Sequence, residues 1–145
     1  MLSLEQIKHE TKIFDDFRLK GEKVIKKLYD KYNEFGLEPK PISNNSFTFY
    51  FWGLKFKLKL EIEFDTVGRL FNYGEINTYQ IIKKGDNKLL LSMGYDKLGN
   101  VTDNITNHHS TLEKDDFLEY YFVKFYDKLM DYINQEGNNI KFQLK

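Results

Sequence analysis

Between Leu54 and Asp65 the chain alternates without a break. Leu54, Phe56, Leu58, Leu60, Ile62 and Phe64 interleave with Lys55, Lys57, Lys59, Glu61, Glu63 and Asp65. Successive side chains of a strand point to opposite faces, so in extended form this segment separates an apolar face from a charged one. Wound as a helix, it would scatter the same charges round its circumference and bury several of them. The segment reads as a strand covered on one side and wet on the other, and the rest of the chain must supply the cover.

The preceding run, Phe47 to Trp52, fits as its hairpin partner. A turn at Trp52-Gly53 sets Phe51 opposite Leu54, Phe49 opposite Phe56 and Phe47 opposite Leu58, so every pair on that face is apolar. A slip of one residue would set lysines against phenylalanines. Tryptophan is an unusual first residue for so tight a turn, where asparagine or glycine is at home. Further strands are expected at about 70–82, with Gly74 as a bulge, at 88–95, where Leu89, Leu91 and Met93 face one way, and at 101–105. Short loops between them imply an antiparallel meander.

Helices flank the strands. Ser3 with Gln6 has the form of a capping box, and Ile7, Phe14, Phe17, Val24, Ile25, Leu28, Tyr32 and Phe35 follow at helical spacing. A helix over about 4–35 is expected, bent near Gly21 and stopped by Gly36, with Pro39 and Pro41 in a linker beyond it. Ser110 with Glu113 has the same capping form, and Asp115 and Asp116 suit a helix start. The helix predicted over 111–135 is apolar round more than half its circumference, so it is covered on more than one side or offers a face to a partner. The tail 138–145 contains a short alternating run, Ile140 to Leu144, suited to an edge strand. The reading is a single α+β domain over 1–145: an antiparallel five-stranded meander sheet (46–52, 54–65, 70–82, 88–95, 101–105) with a long N-terminal and a long C-terminal helix packed on one face.

Composition bears mainly on function. Lysine plus arginine equals aspartate plus glutamate, 22 against 22, and only Arg18 and Arg69 are arginines. There is no net field to draw in nucleic acid or an anionic membrane, and few of the guanidinium forks that read phosphate or guanine, so specific nucleic-acid recognition is disfavoured. Weak binding through Lys20, Lys23, Lys27, Lys31 and Lys55–Lys59 is the form such an activity would take. No cysteine is present, which rules out thiolate chemistry and cysteine zinc sites and fits a reducing compartment. No secretory signal or apolar run approaching about 18 residues is visible, so a cytoplasmic location without membrane association is expected. Alanine is absent while Lys, Asn, Ile, Tyr and Phe abound. That bias suits an AT-rich genome, a low-GC bacterium or a mobile element.

No catalytic signature emerges. His108-His109 lacks the spacing and further ligands of a metal site, and an exposed pair is the plainer reading. Glu61, Glu63 and Asp65 share one strand face, about 7 Å between alternate residues, but lysines share it too and a strand face lacks the cleft that perturbs carboxylates. No serine stands in a nucleophile elbow and no glycine-rich loop cradles phosphate. No cofactor or metal is expected. What stands out is the aromatic content, 17 % of the chain. Tyr50, Trp52, Tyr120 and Tyr126 are candidate contact residues, since tyrosine and tryptophan anchor interfaces. The expected function is a non-catalytic protein-interaction module, binding itself or another protein: a small inhibitor, immunity or accessory protein. The alternative is a small-molecule binder or enzyme with its pocket between sheet and helices, and Glu75, Tyr79, Asp103 and His108 at the rim.

Overall fold

A computed structural model describes residues 3–65, 70–83, 85–102 and 115–136. Helix α1 (Leu4–Glu34) is followed by strands β1 (Lys40–Ser43), β2 (Ser46–Phe51), β3 (Leu54–Asp65), β4 (Leu70–Lys83), β5 (Asp86–Tyr95) and β6 (Val101–Thr102), then helix α2 (Asp115–Glu136). Every strand pairs antiparallel with its neighbour in sequence, in the order β1-β2-β3-β4-β5-β6. The five expected strands are present as a meander between two helices. A sixth is added at the edge, because Pro41-Ile42-Ser43 pairs with β2 instead of serving as a free linker. Proline lacks the N–H of an interior ladder but is tolerated on an edge strand. The turn at 66–69, positions 103–105, the capping pair Ser110 and Glu113, and the tail from Gly137 lie outside the described residues.

The β2–β3 register is the one that apolar pairing demands: Phe51 with Leu54, Phe49 with Phe56, Phe47 with Leu58. Phe47, Phe49, Phe56, Leu58 and Leu60 are buried, and on β4 and β5 Ile76, Leu91, Met93 and Tyr95 join them. Helix α1 contributes Phe17, Val24, Ile25, Leu28 and Tyr32, and α2 contributes Phe117, Leu118, Tyr121, Phe125 and Leu129. Both helices therefore cover one face of the sheet, while Lys55 and Glu63 on the other remain exposed. Two apolar residues of the expected α1 stripe are exposed and Phe14 is half-buried. Phe35 lies just past the helix end against Phe122, and Ile7 lines a shallow groove with Phe14, Phe64 and Phe71.

The two interior glycines have roles other than those anticipated. Helix α1 continues through Gly21, and a Cβ there would come within 3 Å of both Leu60 and the Tyr95 hydroxyl. Gly74 is in register opposite Ile62, whereas the bulge falls nearby on the same strand, where Asn72 is the extra residue between Phe71 and Tyr73. A Cβ on Gly74 would collide with the Tyr95 ring. The two glycines thus form a slot for Tyr95, whose hydroxyl donates to the Phe17 carbonyl of α1 at 2.6 Å. On α2 the Tyr121 hydroxyl donates to the Ile76 carbonyl at 3.1 Å and accepts from Thr78 at 2.8 Å. Each helix is therefore tied to the sheet by one buried phenol. A third, Tyr32, is enclosed by Phe47, Phe49 and Phe122, and its hydroxyl has no hydrogen-bond partner among the described residues.

These contacts make distinct demands on substitution. Gly21→Ala and Gly74→Ala should each cost about 1–3 kcal/mol through overpacking, outweighing any gain in helix propensity for the first. Tyr95→Phe should cost about 1 kcal/mol and Tyr32→Phe nothing or less, since only the former hydroxyl is bonded. Denaturant melts of the four variants read the ranking. Equal losses for the two phenylalanine variants would refute the role given to Tyr95.

Candidate interaction surface

Two tight turns meet at one end of the molecule. Helix α1 ends at Phe35 and Gly36 (φ +78°), and the chain passes through Leu37 and Glu38 (φ +51°) towards β1. Alongside, β2 turns into β3 through Trp52 (φ +52°) and Gly53 (φ +78°), both positive as in a type I′ hairpin. The turns are joined by the Tyr50 N–H, which donates to the Leu37 carbonyl at 3.4 Å. Between them lies an open groove of about 320 Å³, lined by Leu37, Glu38, Tyr50, Phe51, Trp52 and the two glycines. Glu38 and Trp52 are the two non-glycine residues of positive φ among the described residues, and both line it. Left-handed backbone costs a residue with a Cβ roughly 1–2 kcal/mol, and such strain concentrates at functional surfaces.

Aromatic rings run from the core to this end without interruption. Phe56 stacks on Phe49 at 5.4 Å, and Phe125 meets Phe56 edge-on at 4.9 Å. Phe125 contacts Phe51, Phe51 stacks on Trp52 at 4.8 Å, and Trp52 meets the Tyr126 ring at 90°. Phe122 continues the series to Phe35 at 4.9 Å. The series surfaces as a patch in which Trp52 is 46 % exposed, Phe35 44 %, Val123 54 % and Tyr126 38 %. Offset and edge-on pairs of this kind contribute about 0.5–1.5 kcal/mol each beyond burial, so the exposed rings are held in place. On α2, Asp116, Glu119, Asp127 and Asp131 are exposed, whereas Lys124 and Lys128 are half-buried on the flank towards β5.

Of the candidate contact residues, Tyr50, Trp52 and Tyr126 are brought together here. Tyr120 is not. It precedes Tyr126 by six residues, about 9 Å along the helix axis and roughly 240° round it, and its ring carries the Lys124 ammonium at 5.5 Å. Phe35 and Val123 belong to the patch but gave no signal in the sequence. Phe35 fits an apolar helix stripe as well as a surface, and a lone valine on α2 is not distinctive.

Glu75 and Tyr79 occupy the uncovered face of the sheet, opposite Glu61 and Lys57, so they are not the rim of a space between sheet and helices. Asp103 and His108 lie outside the described residues, as does His109. Glu61 instead organises a polar cluster. It accepts hydrogen bonds from the Tyr79 hydroxyl and from Asn77 Nδ2 at 3.2 Å, while Ser92 donates to Glu75 at 3.1 Å. Partial burial would raise the Glu61 carboxyl. The bonds from Tyr79 and Asn77, with the charges of Lys59 and Lys57, outweigh it and hold the group below its ordinary value. Burial and the same carboxylate push Tyr79 up to about 12, and a hydrogen bond to Glu63 raises Tyr73 to about 12. A proton-transfer pair needs values near working pH. Here the acid stays charged and the phenols stay protonated far to either side of neutrality, so the cluster serves as cross-strand bonding. Among the described residues no three acidic or histidine side chains converge as metal ligands, and no helix is long and apolar enough to cross a membrane.

The chain matches no protein-family model, and neither curated proteins nor solved structures provide a match.

The cluster sets a pH signature. A raised phenol stabilises the fold fully below its unfolded value near 10 and loses that contribution as pH rises through its folded value. Stability should therefore fall between about pH 10 and 12, and Tyr79→Phe should flatten part of that fall. Glu61, depressed, contributes above its unfolded value and loses that contribution as pH drops through its folded value. Thermal melts across pH, read beside phenolate absorbance, check both limbs. Tyrosines that ionise with no loss of stability would contradict the assignment.

Proposed function

We propose that the protein is a non-catalytic interaction module whose contact surface is the aromatic patch of Trp52, Tyr126, Val123 and Phe35 with the adjoining groove. The observation that carries this reading is the conformation of Trp52. A left-handed turn position suits asparagine or glycine, yet it holds a large aromatic, half exposed and stacked on Phe51. The turn conformation does not call for that residue type, whereas an interface anchor does: tryptophan and tyrosine supply rigid area at low entropic cost. The exposed acids of α2 favour a partner with lysines and arginines surrounding an apolar contact. Small size, balanced overall charge and the lack of catalytic motifs fit an inhibitor, immunity or accessory protein acting by occupation of a partner's surface.

The test separates folding from binding. Trp52→Asn relieves the turn and forfeits the ring contacts with Phe51 and Tyr126, two opposing effects of similar size, so its stability should stay within about 1 kcal/mol of the parent. Combined with Tyr126→Ser, it should abolish both self-association in sedimentation and capture of any partner the parent retains, with capture by the parent weakening as salt rises. A parent that is monomeric and retains nothing, or a double variant that retains the same protein, would sink the proposal. So would a loss of several kcal/mol on Trp52→Asn, which would make the tryptophan structural.

A further inference from the structure

A second groove lies between α1 and the β1–β2 hairpin and shares no lining residue with the aromatic patch. Its volume is about 430 Å³, within the roughly 300–1,000 Å³ of small-molecule sites. Leu19, Ile25, Tyr29, Pro41 and Phe47 form an apolar floor and walls, with the Tyr29 ring braced edge-on against Phe47 at 5.5 Å. Both serines of the hairpin wall are already engaged. Ser43 donates to Asn45 Oδ1 at 2.7 Å, which leaves Ser46 to donate to Ser43 at 3.1 Å. Neither serine has a hydroxyl proton left for a ligand.

The charge sits at the mouth. Lys23 and Lys26, one helical turn apart and exposed, line the groove and take part in no ion pair among the described residues. The one carboxylate lining it, Glu22, is held at both oxygens by the Arg18 guanidinium at 3.2 Å. Its charge is thus largely answered from its own helix, which leaves the rim positive. We infer that this groove binds a small apolar molecule carrying a single carboxylate, with its body on the Leu19–Tyr29–Phe47 surface and its charge between Lys23 and Lys26. The mouth offers neither a guanidinium fork nor a cradle of backbone N–H groups, the multidentate donors that favour phosphate, so a carboxylate fits the two ammonium groups and the apolar floor together. The apolar floor and walls favour a ligand whose body is hydrocarbon, acyl or aryl.

Decanoate serves as the probe, titrated below its micelle concentration into the full chain by calorimetry, with decylammonium as the control of equal length and opposite charge. Decanoate should saturate one site and shift the amide resonances of residues 19–29 and 41–47, while decylammonium binds more weakly. Lys23→Glu with Lys26→Glu should weaken decanoate about tenfold or more and reverse the preference between the two probes. The pair Lys23→Gln with Lys26→Gln provides the same test without adding acid to the helix, should the reversal disturb folding. Absence of saturable heat, equal affinity in the charge variants, or shifts centred on Trp52 and Tyr126 would overturn the inference. Shifts at the groove that grow with protein concentration before any probe is added would also overturn it, since a second copy would then be the occupant.

Discussion

The architecture depends on a single close approach. Helix α1 can lie on β3 and β4 only because Gly21 has no side chain, and β5 can send Tyr95 across to meet it only because Gly74 has none either. The phenol that fills this space bonds to a carbonyl within the helix, so the contact fixes the helix along its axis as well as against the sheet. An apolar contact alone would resist separation but not sliding, because hydrophobic attraction has no direction. The bond of Tyr121 to Ile76 does the same for α2. Two hydroxyls thus give register to an interface that phenylalanine and leucine otherwise fill by volume.

Much of this was legible from the residues alone, wherever a period was strong. The alternation through β3 determined which face was buried and which partner residues β2 must offer, and the Ser3–Gln6 capping box placed the start of α1, whose side chains are bonded as expected. The failures came where one residue type answers to several physical demands. Glycine signals a bend, a bulge or a tight contact equally well, and only the neighbouring side chains reveal that Gly21 and Gly74 belong to the third kind. A proline-containing segment reads as linker unless its outer edge is known to be free. For the site, tyrosine and tryptophan content pointed to Tyr50, Trp52 and Tyr126, but which ring lies beside which depends on how α2 is rotated over the sheet. Tyr120 was lost, and Phe35 gained, for that reason. The face on which Glu75 and Tyr79 lie was hard to read because β4 is less regular than β3 and its inward face carries Thr78 and Gln80.

The surface inherits its stiffness from the interior. Stacked and edge-on rings continue from Phe49 and Phe56 through Phe125 and Phe51 to Trp52, so the exposed tryptophan is the end of a packed series rather than a side chain on a loose turn. A patch built this way loses little freedom when something covers it, which is the condition under which modest area yields useful affinity. The wet face of the sheet has the opposite character. There Glu61 and Glu75 are bonded by Tyr79, Asn77 and Ser92, with Lys57 and Lys59 beside Glu61, so the strand surface is polar and offers no comparable aromatic patch.

The meander order carries a kinetic consequence. Because each strand pairs with its neighbour in sequence, the ladder can close one short loop at a time as the polypeptide is made, and the distant partner in the assembly is α2, near the far end of the chain. Trp52 and Phe35 are in the chain before Tyr126, Val123 and Phe122, so the patch does not exist until α2 has docked. Any contact that needs the whole patch is therefore open only to the folded domain.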